Sequence, residues 1–115
     1  MAVVIYKLCP SSLWRDAEAA GVFRGMAIDV NDGYIHFSTN AQVKETARLH
    51  FAGQHDLVLV AVSTDSLGEA LKYEPSRGGQ LFPHLFAPLD LAAVLWVRPL
   101  PRGADGLHLF PDPLP

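Results

Sequence analysis

The chain has 115 residues, half of them apolar, and a formal net charge of −3 at pH 7. This length allows one domain with a hydrophobic core and leaves no room for two, so we expect a single domain over residues 1–115. The few Lys and Arg residues are scattered, which argues against nucleic acid as a partner held by phosphate contacts. A nucleotide-sized ligand remains compatible with this charge.

The single cysteine, Cys9, excludes an internal disulfide framework and fits a reducing compartment. Because it follows an apolar strand pattern, Cys9 is predicted to fill space in the core and not to act as a nucleophile. No apolar run approaches the roughly 20 residues of a membrane span, and no charged-then-apolar leader is present. The sequence therefore predicts a cytoplasmic protein without membrane contact.

The first third of the chain reads as a strand followed by a helix. Residues 2–8 are rich in β-branched and aromatic side chains, which is typical of a strand. After the break at residues 10–12, apolar residues recur at helical spacing from Leu13 to Ala20, and Gly21 supplies a helix stop. Residues 22–31 show no regular period and are predicted to form a loop or a short irregular strand.

Residues 32–39, Asp-Gly-Tyr-Ile-His-Phe-Ser-Thr, combine a turn, a strand and a helix start. Alternation places Ile35 and Phe37 on one face, and it places a phenol, an imidazole and a hydroxyl on the other. Thr39 lies three residues before Gln42, the spacing of a capping box. A helix N-terminus attracts anions, so this row predicts an anion site. The alternative is a half-solvated sheet face on which the imidazole is structural. The phenol, imidazole and hydroxyl of this polar face belong to Tyr34, His36 and Ser38, respectively.

The rest of the chain alternates short strands with turns. A helix over 43–51 is expected to end at Gly53, with His50 in a structural role at its C-terminus. Residues 57–62 form an apolar run typical of a strand covered on both faces. Residues 70–74 and 92–98 indicate further strands, whereas Pro83 reduces 81–86 to an edge strand or an extended segment. Residues 99–115 form a proline-rich tail packed on the domain, in which 105–110 could add a short edge strand.

Five or six strands with two main helices, both early, predict an α+β domain with mixed or antiparallel sheets. The alternation of strands and helices stops too soon for a doubly wound parallel sheet. None of the common dinucleotide, phosphate-loop or zinc motifs is present.

A second polar cluster lies between residues 74 and 84, in a segment interrupted by prolines and glycines. Arg77 can bind a carboxylate or phosphate through two parallel hydrogen bonds, and Gly78 and Gly79 can present backbone N–H groups to the same anion. The alternative is a surface ion pair between Arg77 and Glu74, worth at most about 1 kcal/mol. His84 and the earlier histidine could supply half of a metal site, but no third ligand has suitable spacing, so no metal is expected.

Two blocks of sequence resemble the bacterial domain-of-unknown-function family 952. They are residues 32–39 and residues 76–85, Ser-Arg-Gly-Gly-Gln-Leu-Phe-Pro-His-Leu, and the similarity extends to the helix around Trp14 and to residues 105–108. The resemblance implies a fold like that of the ADP-ribosyltransferases, in which two sheets form a cleft that binds NAD.

The resemblance to the ADP-ribosyltransferases implies functional roles for individual residues. Lys7 stands where such transferases carry an Arg or His on the first strand, and residues 34–39 match their second element. Their third element is a Glu that holds a ribose hydroxyl. Residues 80–84 offer no carboxylate, and Glu74 is the nearest.

Three hypotheses about function follow. The first is an enzyme acting on NAD or an ADP-ribosyl compound, with His36 or His84 as acid or base and NAD as the cofactor that the fold suggests. In it, Arg77 and the helix start at Thr39 hold phosphates, and Lys7 and Glu74 are further candidates. The second is a non-catalytic module that binds a small anionic metabolite, and the third is a structural or partner-binding domain. Both ligand hypotheses require the two histidines to lie on facing elements, with their rings within about 8 Å. The remaining ligand-binding candidates are Tyr34, Ser38, Gly78 and Gly79.

Overall fold

A computed structural model describes residues 3–111 and 114 of the chain, which form a small α+β domain. Over these residues the α-helices are α1 (Ser11–Ala20), α2 (Ala27–Asp32) and α3 (Val43–His50). The strands are β1 (Val4–Pro10), β2 (Val22–Phe23), β3 (Ile35–His36), β4 (Ser38–Thr39), β5 (Leu57–Ser63), β6 (Leu71–Pro75), β7 (Leu81–Leu85), β8 (Leu89–Asp90) and β9 (Val94–Leu100).

The strands form three antiparallel sheets. A four-stranded sheet has the order β4-β1-β5-β9, a three-stranded sheet has the order β3-β7-β6, and β2 pairs with β8. The prediction of an α+β domain with antiparallel sheets is confirmed. No helix in the described part of the chain is long and apolar enough to cross a lipid bilayer.

The four-stranded sheet has a hydrophobic cluster on each face. Ile5 and Cys9 of β1 pack with α1 and the three-stranded sheet, whereas Tyr6 and Leu8 pack under α3. The core position predicted for Cys9 is confirmed, and burial raises the pKa of its thiol to about 11. β5 is covered on both faces, as its uninterrupted apolar sequence predicted.

Residues 22–31 were predicted to form a loop or a short irregular strand. β2 agrees with this prediction, but the helix α2 contradicts it. The usual apolar signal is reversed in α2: Ile28 and Val30 are exposed, while Asp29 is buried. A pattern search for an apolar face therefore misses this helix. With α2 included, the described residues hold three helices where two were expected.

The single strand predicted at 34–38 is two short strands in two different sheets. β3 pairs with β7, β4 pairs with β1, and the buried Phe37 lies between them. The Phe37 N–H donates to the Pro83 carbonyl over 3.0 Å, but proline has no N–H to return the bond, so the pairing of β3 with β7 ends here. The burial predicted for Ile35 and Phe37 is confirmed.

Because of Pro83, residues 81–86 were expected to form an edge strand or an extended segment. Instead, β7 is the central strand of the three-stranded sheet. Pro83 is tolerated because its nitrogen faces the end of the short β3, where little pairing is lost. On the other side, Pro83 lies opposite Tyr73 of β6 in the register.

The C-terminal segment folds back on the loop that follows α3. Arg102 donates to the Gly53 carbonyl over 2.9 Å, and His108 Nε2 lies 2.9 Å from the Gln54 carbonyl. In place of the short strand predicted at 105–110, the structure has an isolated bridge between Arg102 and His108. Positions 112, 113 and 115 of the predicted tail, and position 2 of the predicted first strand, lie outside the described residues.

Candidate functional site

The pairing of β3 with β7 sets His36 directly opposite His84. Their ring centroids are 5.5 Å apart, which confirms the predicted separation of less than about 8 Å. The two residues are neighbours in one sheet and do not face each other from two opposing walls. Because this spacing is set by backbone pairing, the two imidazoles form one polar cluster.

His84 is buried and held in one orientation. Its Nδ1 lies 2.8 Å from Glu74 Oε1 on β6, and its ring stacks on Tyr34 at a centroid distance of 4.1 Å. A carboxylate only accepts hydrogen bonds, so Nδ1 carries the hydrogen and Nε2 is the ring nitrogen left for another partner. Glu74 thus contacts His84. The ion pair of Glu74 with Arg77 stays a prediction, since the side chain of Arg77 lies outside the described part of the structure.

His36 lies between two carboxylates. Its Nδ1 is 2.6 Å from Asp29 Oδ1, and its Nε2 is 3.0 Å from Asp32 Oδ2. Both contacts are hydrogen bonds only when both ring nitrogens carry hydrogen. The Asp29 side chain is inaccessible to solvent, whereas Asp32 and the His36 ring are about one-third exposed. The contact with Asp32 is therefore the one that solvent can reach.

Asp29 is the centre of this polar cluster. Besides the His36 ring, it accepts the His36 N–H at 3.0 Å, the Met26 N–H at 2.7 Å and the ammonium of Lys7 at 2.9 Å. Burial alone would raise the pKa of Asp29, but the hydrogen bond from His36 and the charge and hydrogen bond of Lys7 outweigh it and lower the pKa to about 2. Asp29 is thus a buried carboxylate with matched partners.

Lys7 is only 5% exposed and is the cation in this buried pair. Burial lowers the pKa of Lys7, and the neighbouring Asp29 partly offsets that effect. The ammonium also donates to the His36 carbonyl over 2.9 Å. The sequence suggested that Lys7 contacts an anion. In the structure, the anion that Lys7 contacts is the carboxylate of Asp29.

A cavity of about 510 Å³ opens beside this cluster, where β1 extends beyond its pairing with β4. His36, Ser38 and His84 reach it from the strands, and Thr46 and His50 reach it from α3. The remaining lining residues are Tyr6, Lys7, Leu8, Met26, Ile28, Phe37, Phe51, Gln54, Ser76 and Phe82. The walls are therefore largely apolar, with a few polar atoms at fixed positions.

Other predicted residues lie outside this lining. Tyr34 contacts the cluster through its stack on His84, while Gly78 and Gly79 lie in the turn between β6 and β7. The Thr39 N–H donates to Gln42 Oε1 over 3.1 Å. The helix start predicted at Thr39 is wrong, however, because Thr39 belongs to β4 and α3 begins at Val43 with Gln42 as its N-cap. Gln42 also donates to the Leu81 carbonyl, so it ties the start of α3 to β7. The cavity meets α3 at its middle and its C-terminal end, at Thr46 and His50, and not at its N-terminus.

Sequence reasoning missed Asp29, Asp32 and the position of His50. Asp29 and Asp32 lie in or next to residues that carry no apolar period, and the ion pair of Asp29 with Lys7 spans 22 positions. One local signal was available, because an acidic residue at the third position of a short segment ending in glycine is typical of a helix N-terminus. His50, expected to be structural, is exposed and lines the cavity.

Histidine and carboxylate clusters raise the question of a metal. Among the described residues, no three His, Cys, Asp or Glu side chains converge as metal ligands. The carboxylates near the two imidazoles act as hydrogen-bond acceptors.

Fold and site together define a small α+β domain with a histidine–carboxylate cluster beside a cavity. Residues 8–97 match the sequence profile of the family described as "Protein of unknown function (DUF952)", and the chain belongs to that family. The chain is similar to protein CC0527 from Caulobacter crescentus. The crystal structure of CC0527 is 46% identical over 92% of this chain and 93% of that chain, with a TM-score of 0.89. Its solution NMR structure is 46% identical over 96% of each chain, with a TM-score of 0.86.

No match is found among curated proteins. Family membership therefore establishes the fold of this chain and leaves its activity to be inferred from the site.

Proposed function

We propose that the cavity binds a small NAD- or ADP-ribose-like ligand and that His84 acts on it as a general base. One observation carries the proposal: Glu74 holds Nδ1 of a buried imidazole whose ring lines the cavity, which leaves Nε2 for the ligand. A carboxylate–imidazole pair of this kind fixes the tautomer of a catalytic base. The volume of about 510 Å³ falls within the range of about 300–1,000 Å³ that is usual for small-molecule sites.

The proposed reaction is ADP-ribosyl transfer or hydrolysis on a fold of ADP-ribosyltransferase type. The position of the cavity beside the junction of two antiparallel sheets supports this likeness. His84 Nε2 would take the proton of the attacking water or hydroxyl as the bond to the leaving group breaks. His36, whose ring lies 5.5 Å away, would be the acid that supplies a proton to the leaving group.

Arg77 is the proposed contact for the phosphates. It follows Ser76, a residue of the cavity lining, in the turn between β6 and β7. An arginine beside the cavity mouth can bind two phosphate oxygens at once.

A non-catalytic binding module is the second candidate. It is favoured because two polar side chains are already bound by other groups of the chain. Lys7 and His36 are both bound by carboxylates of the chain, so they are less free to move protons during a reaction. Turnover separates the two candidates. An enzyme consumes NAD and loses this activity in His84→Gln, whereas a binding module leaves NAD intact.

Titration calorimetry with NAD and with ADP-ribose tests the binding proposal. Arg77→Ala should weaken affinity by a factor of about 10 to 150, because a charge-assisted hydrogen bond contributes about 1.5–3 kcal/mol. Arg15→Ala, on the exposed side of α1, is the matched control and should bind as the wild type does. Absence of binding to the wild-type protein would refute the proposed ligand class. Equal affinities for wild type and Arg77→Ala would refute the role of Arg77.

A further inference from the structure

Ser38 presents an acceptor to the cavity and has no hydrogen left to donate. Thr46 donates its hydroxyl hydrogen to the Gln42 carbonyl over 3.1 Å, in the manner usual for threonine within a helix. With the Thr46 hydrogen on the Gln42 carbonyl, the hydrogen in the 2.9 Å contact between the two hydroxyls comes from Ser38. What remains on Ser38 Oγ is a lone pair.

His84 presents a second acceptor to the same cavity. Its Nδ1–H is committed to Glu74, so in the neutral ring Nε2 carries a lone pair. No hydrogen bond to Nε2 is formed by any other group in the described part of the chain. Ser38 of β4 and His84 of β7 belong to different sheets, but both line the same cavity.

Lys7 and His36, two donor groups of the cluster, are engaged by groups of the chain itself. The Lys7 ammonium donates to Asp29 Oδ1 and to the His36 carbonyl, and it also pairs with Asp29 Oδ2 at 2.9 Å. Both ring nitrogens of His36 face carboxylates. The fixed charges of the cluster are one cation, Lys7, against three carboxylates, those of Asp29, Asp32 and Glu74.

The side chain of Tyr34 lies in the same negatively charged environment. Its pKa is raised by partial burial and by the nearby carboxylates of Asp32 and Glu74. A phosphate placed here would meet acceptors and negative charge, both of which oppose its binding.

We infer that the part of the cavity between Ser38 and His84 receives a hydrogen-bond-donating group, a hydroxyl or an ammonium, and rejects phosphate. The inference rests on the ligand site proposed above and adds which chemical end of the ligand lies there. Hydroxyls of a sugar contact Ser38 Oγ and His84 Nε2, and the phosphates lie outside this part of the cavity. A hydroxyl and an ammonium both donate hydrogen bonds. Small probes that carry only one of these groups show which of them binds.

Backbone amide NMR titrations at pH 8, where an unperturbed imidazole is neutral, test this directly. Four probes are compared: 1,4-anhydroerythritol, which carries two adjacent hydroxyls; 3-aminotetrahydrofuran, which carries an ammonium; tetrahydrofuran, which has the same ring without donors; and inorganic phosphate. The diol, the amine or both should shift the Ser38 and His84 signals with saturation. Tetrahydrofuran and phosphate should not.

Ser38→Ala should weaken the probe that binds by about threefold to tenfold, since it removes one hydrogen bond. Ser66→Ala, at an exposed position outside this lining, should leave binding unchanged.

Three results would overturn the inference: saturable shifts with phosphate, equal shifts with the diol and with tetrahydrofuran, or no shift with any probe. The proposed ligand class is judged separately by ADP-ribose calorimetry. If ADP-ribose fails to bind while the diol or the amine shifts both residues, the ligand class falls and the donor preference stands.

Discussion

Asp29 ties together groups from three parts of the chain: β1, the loop before α2, and β3. Its two oxygens accept from Lys7, from the Met26 N–H and from His36. Removing one partner of such a buried pair leaves the other charge without compensation, which is far costlier than the pair itself. Asp29 therefore stabilises the fold and also fixes the orientation of His36 beside the cavity.

The low pKa of Asp29 predicts how stability depends on pH. The folded-state pKa is about 2 and the ordinary value is 3.8, so the ionised form is favoured by folding. This contribution is fully present above about pH 4 and is lost as the pH falls towards 2. The expected loss is about 2–3 kcal/mol in the free energy of unfolding, measured by urea denaturation at a series of pH values.

Two variants separate Asp29 from the other carboxylates in that experiment. Asp29→Asn should be less stable at pH 7 and should lack this part of the acid dependence. Asp65→Asn, at an exposed position, should keep it. An unchanged acid dependence in Asp29→Asn would show that other groups cause it.

Phe37 is the residue at which the chain passes from one sheet to the other, and its side chain is 3% exposed. Phe37→Ala should lower the free energy of unfolding by about 3–5 kcal/mol, because it leaves a cavity between the two sheets. Phe86→Ala removes the same side chain from an exposed position and should cost considerably less. Equal losses in urea denaturation would contradict the position given to Phe37 in the core.

Individual residues show what the sequence could and could not predict. The alternation of Ile35, His36 and Phe37 was enough to assign their faces, and the two histidines were correctly paired in space. The partners of the histidines were not predictable, because Asp29 and Glu74 reach them through tertiary contacts that leave no periodic trace. Nor does spacing distinguish a lysine that binds a ligand from one neutralised by its own chain, as Lys7 is.

At the level of elements, α1, α3, β5 and β9 were predicted because each has a clear apolar period or an uninterrupted apolar run. α2 was missed because its apolar side chains face outward and its acidic one faces inward. β7 was assigned to an edge because the rule for proline assumes a long neighbouring strand, and β3 is too short to need the missing N–H.

Gly25 leaves room for the side chain of Asp29. Its φ is +110°, and a Cβ at this position would lie 2.6 Å from the Cβ of Asp29. Gly25→Ala should therefore push Asp29 away from its partners in addition to straining the backbone.

Gly33→Ala is the matched control for this substitution. Gly33 also has a positive φ, +85°, but a Cβ there would have no neighbour within 4 Å. Thermal or urea unfolding should show Gly25→Ala to be less stable than Gly33→Ala by at least about 1 kcal/mol. Equal stabilities would mean that Asp29 is not closely packed against the backbone of Gly25.

For the whole molecule, the site results from the way the two larger sheets share one stretch of chain. β3 belongs to one sheet and β4 to the other, so His36 and Ser38 line one cavity while their backbones pair with different strands. His84 and Glu74 are added from β7 and β6. The sequence contained these residues in two separate blocks, but only the sheet order brings the blocks together.

The most direct test of the central claim follows the imidazole nitrogens of the wild-type protein by ¹⁵N NMR while ADP-ribose is added. If the cavity is the ligand site and Glu74 orients the base, the Nε2 signal of His84 shifts with saturation while its Nδ1 keeps its hydrogen. Glu74→Gln should weaken this response, because the tautomer of His84 is then no longer fixed by a carboxylate. Saturable binding of ADP-ribose that leaves both nitrogens of His84 unchanged would contradict the account.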